Sequence, residues 1–228
     1  MTPWILLESA QVPGKGGELR LYQRGDEFSI VLVGRGELMS SRVHGSEIAL
    51  AEQTCNRLVN SQNPRLLVGG LGMGFTLAAM LRQVGDQAQV VVAELVPAVV
   101  TWNRGLLGSV AGHPLQDPRV TVLEDDVARI ILAEQQAYDA ILLDVDNGPE
   151  GLTRKENDWL YDMNGLNSAH AALRPQGLLA VWSVSPDQTF LQRLRKVGFK
   201  VDEVPVRAHG TKGARHFIWL ARKVKIAP

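Results

Sequence analysis

The chain has 228 residues, 45% hydrophobic and 21% charged, with 24 basic side chains balanced by 24 acidic ones. That length suits one well-buried α/β domain with a small appendage, and the neutral balance gives no general attraction to nucleic acid or to an anionic membrane. A single cysteine, Cys55, excludes an internal disulfide framework and a cysteine zinc cluster, so the expected compartment is the cytoplasm.

The opening segment, MTPWILLESAQVPGKGGELR, lacks the basic start and long apolar centre of a signal peptide. No apolar run in the chain nears the roughly 20 residues of a membrane helix. Residues 1–45 read as a small β-hairpin region, because WILLESAQV, ELRLYQRG, FSIVLVGR and ELMSS alternate partly and are separated by PGKGG, GDE and GRG. From residue 46 to 228 the pattern changes to helices and strands taking turns. SEIALAEQTCNRLVN puts Ile48, Leu50, Ala51, Cys55, Leu58 and Val59 near one helical face, with Cys55 as packing.

RLLVGG is then a buried strand and FTLAAMLRQVG a helix ended by Gly85. QVVVAEL is a strand, PAVVTWNRGLLG a helix with Pro97 in its first turn, RVTVLEDD a strand and VARIILAEQQ a helix. YDAILLDVD, NSAHAALRP, GLLAVWSVS and QTFLQRLRKVGF continue as strand, helix, strand and helix, the last closed by Gly198. KVDEVPVRA and HFIWLARKV follow with no helix between them. The fold expected is α/β and doubly wound, a mostly parallel sheet covered on both faces with an antiparallel C-terminal hairpin strand.

Ligands of such sheets bind beyond the carboxyl ends of the strands, where strand order reverses. Four strand ends carry glycine or acid. Gly70, Gly72 and Gly74 let the backbone turn tightly against a ligand. Glu94, about 20 residues on, stands where a carboxylate accepts both hydroxyls of a ribose. Asp126, or Asp125, suits the adenine amino group, with capping of the next helix as the competing role. Asp144 and Asp146 end the fourth strand, where turn formation competes with chemistry. The set points to an adenosine-containing ligand. His113 and His170 show no metal-ligand spacing, and His44 reads as a surface or hinge residue.

These residues resemble S-adenosylmethionine-dependent enzymes of the spermidine synthase type. The likeness runs from GSEIALAE through VGGLGMGF, AELVPAVV, EDDVARII and YDAILLDVDNGP to ALRPQGLLAVWS and the terminal hairpin. It implies the seven-stranded, Rossmann-like sheet of class I methyltransferases, S-adenosylmethionine or its decarboxylated form as cofactor, a small-molecule acceptor and a homodimer. It also implies Gly70, Gly72 and Glu94 at the methionine and ribose portions, Asp126 at adenine and Asp144 beside the sulfonium. Glu47 and Asn147 would contact the acceptor.

The chain also departs from that family. Gly72 stands where the family's loop has an aspartate for the aminopropyl amine. At the first long helix only Glu47 survives of a Tyr-containing acidic signature, and Asp146 comes one position early, with Asn147 in the second acid's place. A tyrosine near the terminal hairpin is absent. Methyl transfer needs fewer partners for cationic amines, so these departures favour methyl transfer over aminopropyl transfer, with Asp146 as base. A nucleoside-binding module without catalysis is the third reading. GPEGLTRKENDWLYDMNGLN reads as a lid or substrate loop. The basic cluster Arg207, His209, Lys212, Arg215 and His216 would favour an anionic acceptor if it faced the crevice.

Overall fold

Glycine turns at 25 and 34 break the first forty residues into short strands. In this computed structural model, which describes residues 2–14, 16–59, 62–145, 158–209 and 212–224, these are β1 (Ile5–Gln11), β2 (Glu18–Arg24), β3 (Glu27–Leu32) and β4 (Gly36–Ser40). They form an antiparallel sheet in chain order. Leu19, Leu21, Ile30 and Leu32 are buried, and they join one hydrophobic cluster with Leu66, Val68, Leu142 and Ala180 of the larger sheet. The indole N–H of Trp102 adds a polar tie by donating to the Glu8 carboxylate at 2.6 Å.

The remaining elements are α1 (Gly45–Cys55), β5 (Arg65–Gly69), α2 (Phe75–Leu81), β6 (Gln89–Ala93), α3 (Pro97–Arg104), β7 (Val120–Leu123) and α4 (Val127–Ala133). After them come β8 (Tyr138–Leu143), α5 (Asp158–Tyr161), α6 (Met163–Ala172), β9 (Leu173–Ser183), α7 (Gln188–Val197), β10 (Phe199–His209) and β11 (Lys212–Lys223). The sheet order is β10-β11-β9-β8-β5-β6-β7, with β5 to β9 parallel and β11 antiparallel to both neighbours. This is the seven-stranded arrangement expected from the sequence. Strand order reverses at β5, which has β6 on one side and β8 on the other. The crevice therefore opens at the carboxyl ends of β5, β6 and β8.

Helix ends follow their local chemistry. Pro97 occupies the first turn of α3, and Gly198 closes α7 at a φ of 107°. The helix expected to run to Gly85 stops instead at Leu81. Arg119 caps that end: its guanidinium donates to the carbonyl of Leu81 at 3.0 Å, which a longer helix would have bonded internally, and to that of Val84 at 2.8 Å.

Part of the expected lid is ordinary core. Leu160 and Tyr161 are each only 3% exposed and pack among Ile130, Leu166 and Phe190. Residues 146–157 lie outside the described residues, as do Asp146 and Asn147 with them. No helix among the described residues is long and apolar enough to cross a membrane.

Because the small sheet shares a core with the large one, Ile30→Ala is expected to cost roughly 2–5 kcal/mol. Urea unfolding followed by circular dichroism and by tryptophan fluorescence should still show one coincident transition. An early, separate loss of the N-terminal sheet would show that the two do not unfold together.

Candidate active site

Three strand ends build the site. The chain leaves β5 into the glycine loop, where Gly70 has a φ of 90° and Gly72 a φ of 53°, both in the left-handed region. A Cβ on Gly70 would lie 2.5 Å from the carbonyl oxygen of Asp144, so glycine lets two adjacent strand ends touch. A Cβ on Gly72 would lie 3.2 Å from the sulfur of Met39. Gly74 also has positive φ; it starts α2 and lines neither cavity described below.

Glu94, just beyond β6, locks this loop. It is 8% exposed, and its two carboxylate oxygens accept from the amides of Leu71 and Val96, each at 2.9 Å. Burial drives its pKa above the ordinary carboxylate value, against the opposing pull of those amides. Each oxygen still has capacity for another hydrogen bond. Beyond β7, Asp126 caps α4 by accepting from the Ala128 amide at 2.9 Å, and Asp125 accepts from the Asp126 amide at 2.8 Å. Both also line the crevice, so capping and ligand contact are compatible.

The crevice consists of two cavities meeting at Leu38, Met39, Gly72 and Asp144. The first, about 150 Å³, has Gly70, Glu94, Asp125 and Asp126 along one wall. Leu19, Ile30 and Leu32 of the small sheet form the other. Carboxylates beside apolar walls fit the hydroxyls and the flat base of a nucleoside. The second cavity, about 120 Å³, is lined by Glu47, Thr76 and Asp144 together with Phe75, Trp182 and Met73. Among the described residues, no basic side chain lines either cavity.

Asp144 is a second perturbed acid in the site. Its withdrawal from water and the nearby Glu47 carboxylate push its pKa up to about 7, while the Thr76 hydroxyl, which donates to its Oδ2 at 2.5 Å, opposes the rise. Phe75 is itself fixed from behind, with the His44 ring stacked on it at 4.2 Å. That contact gives His44 a packing role.

The structure thus brings Gly70, Gly72, Glu94, Asp125, Asp126, Asp144 and Glu47 together, and Asp146 and Asn147 lie outside the described residues. Of the basic hairpin cluster, Arg207 and Arg215 are exposed and line neither cavity. His216 packs edge-on against Trp182 with ring centres 4.9 Å apart, and the side chains of His209 and Lys212 lie outside the described residues. Sequence reasoning missed Met39, Thr76 and Trp182. Thr76 had a signal, as the polar residue in the first turn of an otherwise apolar FTLAAML.

No family model matches the chain. In sequence it is 29% identical to a polyamine aminopropyltransferase of Mycobacterium tuberculosis, with 92% of this chain and 40% of that protein covered. The polyamine aminopropyltransferase of Mycobacterium bovis matches to the same extent. The chain thus spans about two fifths of the length of the curated relatives it matches. In structure it is similar to the spermidine synthase of Thermotoga maritima, with a TM-score of 0.76, 17% identity and coverage of 96% of this chain and 72% of that one. A probable spermidine synthase from Corynebacterium glutamicum superposes with a TM-score of 0.64 at 17% identity, covering 97% and 81%. The chain therefore has the spermidine synthase fold, and its relatives side with aminopropyl transfer over the methyl transfer favoured from sequence.

The protonation of Asp144 links the site to stability. Its folded carboxyl keeps a proton up to about 7, whereas an unfolded aspartate releases it near 4. Between those values the folded state binds more protons, so this group's contribution to stability falls as pH rises. Asp144→Asn should therefore be more stable than the wild type above pH 7, by up to roughly 4 kcal/mol, with the gain vanishing near pH 4. Denaturant titrations at pH 8 and pH 4 check it, and an equal effect at both would contradict the assignment. Gly70→Ala should cost about 2 kcal/mol or more in the same experiment, and a neutral result would mean the loop shifts freely.

Proposed function

We propose that this chain, with its spermidine synthase fold and its likeness to polyamine aminopropyltransferases, transfers an alkyl group from an adenosyl sulfonium to an amine, with aminopropyl transfer to a polyamine precursor as the leading reaction. The observation that carries the reading is the second cavity. Two carboxylates, Glu47 and Asp144, and the rings of Phe75 and Trp182 line it without an accompanying cation among the described residues. Such a cavity favours a positively charged amine, through ion pairing and contact with aromatic faces.

In the first cavity, Glu94 would hold the ribose hydroxyls and Asp125 and Asp126 the adenine edge. The glycine loop would bring its backbone against the methionine-derived chain. When bound, the donor supplies a carbon already activated by a sulfonium leaving group. The protein must then orient the nucleophile and remove a proton. An ammonium has no free lone pair, so the acceptor has to lose its proton to attack. Asp144 lies where the cavities meet, and a pKa of about 7 makes it an effective proton acceptor near neutral pH. Nitrogen gains the alkyl group, the carbon–sulfur bond breaks, and neutral methylthioadenosine leaves. The displaced proton passes to Asp144 and then to water. Glu47 remains as the counter-charge for the cation.

Gly72 and Met39 favour a second reading. They place backbone and a thioether where the two cavities join, so that Asp144 is the one carboxylate among the described residues at that junction. A methyl donor, whose transferred group carries no amine, asks for no counter-charge at that point. Product analysis by mass spectrometry separates the two. With decarboxylated S-adenosylmethionine and putrescine, methylthioadenosine and spermidine are expected. Formation of S-adenosylhomocysteine from intact S-adenosylmethionine, with no methylthioadenosine from the decarboxylated form, would replace the leading reaction with methyl transfer. Asp144→Asn should lower kcat by about 100-fold or more while calorimetric affinity for methylthioadenosine changes by less than about threefold. Unchanged turnover would eliminate Asp144 as the base.

A further inference from the structure

The hydroxyl of Thr76 is a buried polar group in an apolar setting. It sits in the first turn of α2, followed by buried Leu77, Ala78, Ala79, Met80 and Leu81, and is itself 3% exposed. A helical threonine ordinarily turns its hydroxyl back to the carbonyl four residues earlier. Two others in this chain do so: Thr54 donates to Leu50 O at 2.7 Å and Thr101 to Pro97 O at 3.2 Å. Thr76, second in α2, has no helical carbonyl four residues behind it, and its hydroxyl reaches across the fold, 68 residues along the chain, to Oδ2 of Asp144 at 2.5 Å. The carbonyl oxygen of Glu47, at 3.4 Å, is its more distant alternative. One hydroxyl carries one proton, and the shorter, charge-assisted contact takes it.

We propose that Thr76 is a positioning residue for the acceptor-side carboxylate: its hydroxyl fixes Oδ2 of Asp144, favours the ionised form against the surrounding acids, and leaves the other oxygen to take a proton from the acceptor. This role rests on the transfer reaction proposed above. The groups around Asp144 explain why a donor is needed. Glu47 faces it from α1, and Glu94, Asp125 and Asp126 line the adjoining cavity from the ends of β6 and β7. All are acidic, and no basic side chain among the described residues lines either cavity to offset them. Of the side chains acting on Asp144, Glu47 disfavours the charged form and Thr76 favours it. Because Thr76 follows the glycine loop by two residues, the loop that would hold the donor also sets the carboxylate.

Thr76→Val removes the hydroxyl at nearly constant shape, and Thr76→Ser keeps it. The Asp144 carboxyl can be followed by carbon NMR of aspartate-labelled protein, assigned by the signal missing in Asp144→Asn. In Thr76→Val its titration midpoint should rise by about one pH unit, and the acid limb of the kcat/KM profile should move with it. Turnover at pH 7 should fall about fivefold as the ionised fraction drops, and Thr76→Ser should restore both midpoint and rate. Calorimetric affinity for methylthioadenosine should stay within about twofold, since Thr76 lines only the second cavity. If Thr76→Val does not fold, Thr76→Ala serves the same comparison. A midpoint unmoved in an active variant would overturn the role of Thr76 alone. A midpoint that moves in a protein showing no aminopropyl transfer would uphold the contact and overturn the transfer reading.

Discussion

The crevice depends on one buried carboxylate. Glu94 accepts from the amides of Leu71 and Val96, so a single side chain ties the loop after β5 to the turn after β6. Without a carboxylate there, two backbone N–H groups would lose their partners in a buried position, an expensive arrangement in a low-dielectric site. The bonds to those amides help hold a charge that burial disfavours. The same residue thus ties the loop together and forms part of the cavity wall, where in the function proposed it would also hold the ribose hydroxyls.

The second cavity concentrates like charge in a comparable way. Glu47 arrives on α1, Asp144 at the end of β8, and burial makes two simultaneous charges costly. A cationic amine relieves that cost, so the energy withheld from the empty site is available to the bound one. This is a reason for such a pair to persist although it gives the fold no stability of its own. Proton uptake by Asp144 and charge neutralisation by a cationic ligand are two responses to one electrostatic constraint.

The small N-terminal sheet shapes the site as well as the core. Leu19, Ile30 and Leu32 close one side of the nucleoside cavity, and Met39 sits over Gly72 where the two cavities meet. A methionine side chain is long, flexible and apolar, so the surroundings of the transferred group are less polar than a carboxylate would make them. In the transfer reaction proposed, that chemical difference would bear on which group is moved. It arises between two residues 33 positions apart in the chain, read together only once β4 is folded against the glycine loop.

The strand and helix periodicities, the glycine run and the acids at successive strand ends were legible in the sequence because each is a local pattern. They carried the doubly wound sheet, the terminal hairpin and the gathering of Gly70, Glu94, Asp126 and Asp144. The early end of α2 was not legible, because Arg119, which caps it at the Leu81 carbonyl, lies far along the chain. Nor was the burial of Leu160 and Tyr161, since a polar segment with scattered aromatics looks alike whether it covers a ligand or the core. The sequence by itself determined the elements and the acidic residues available for chemistry. Only the tertiary structure decided that Met39 would stand over Gly72, that Thr76 would reach Asp144, and that Glu47 would raise the proton affinity of that acid. Those outcomes depend on distances between side chains from different elements, and electrostatics and hydrogen bonding respond to distance, which local sequence patterns do not encode.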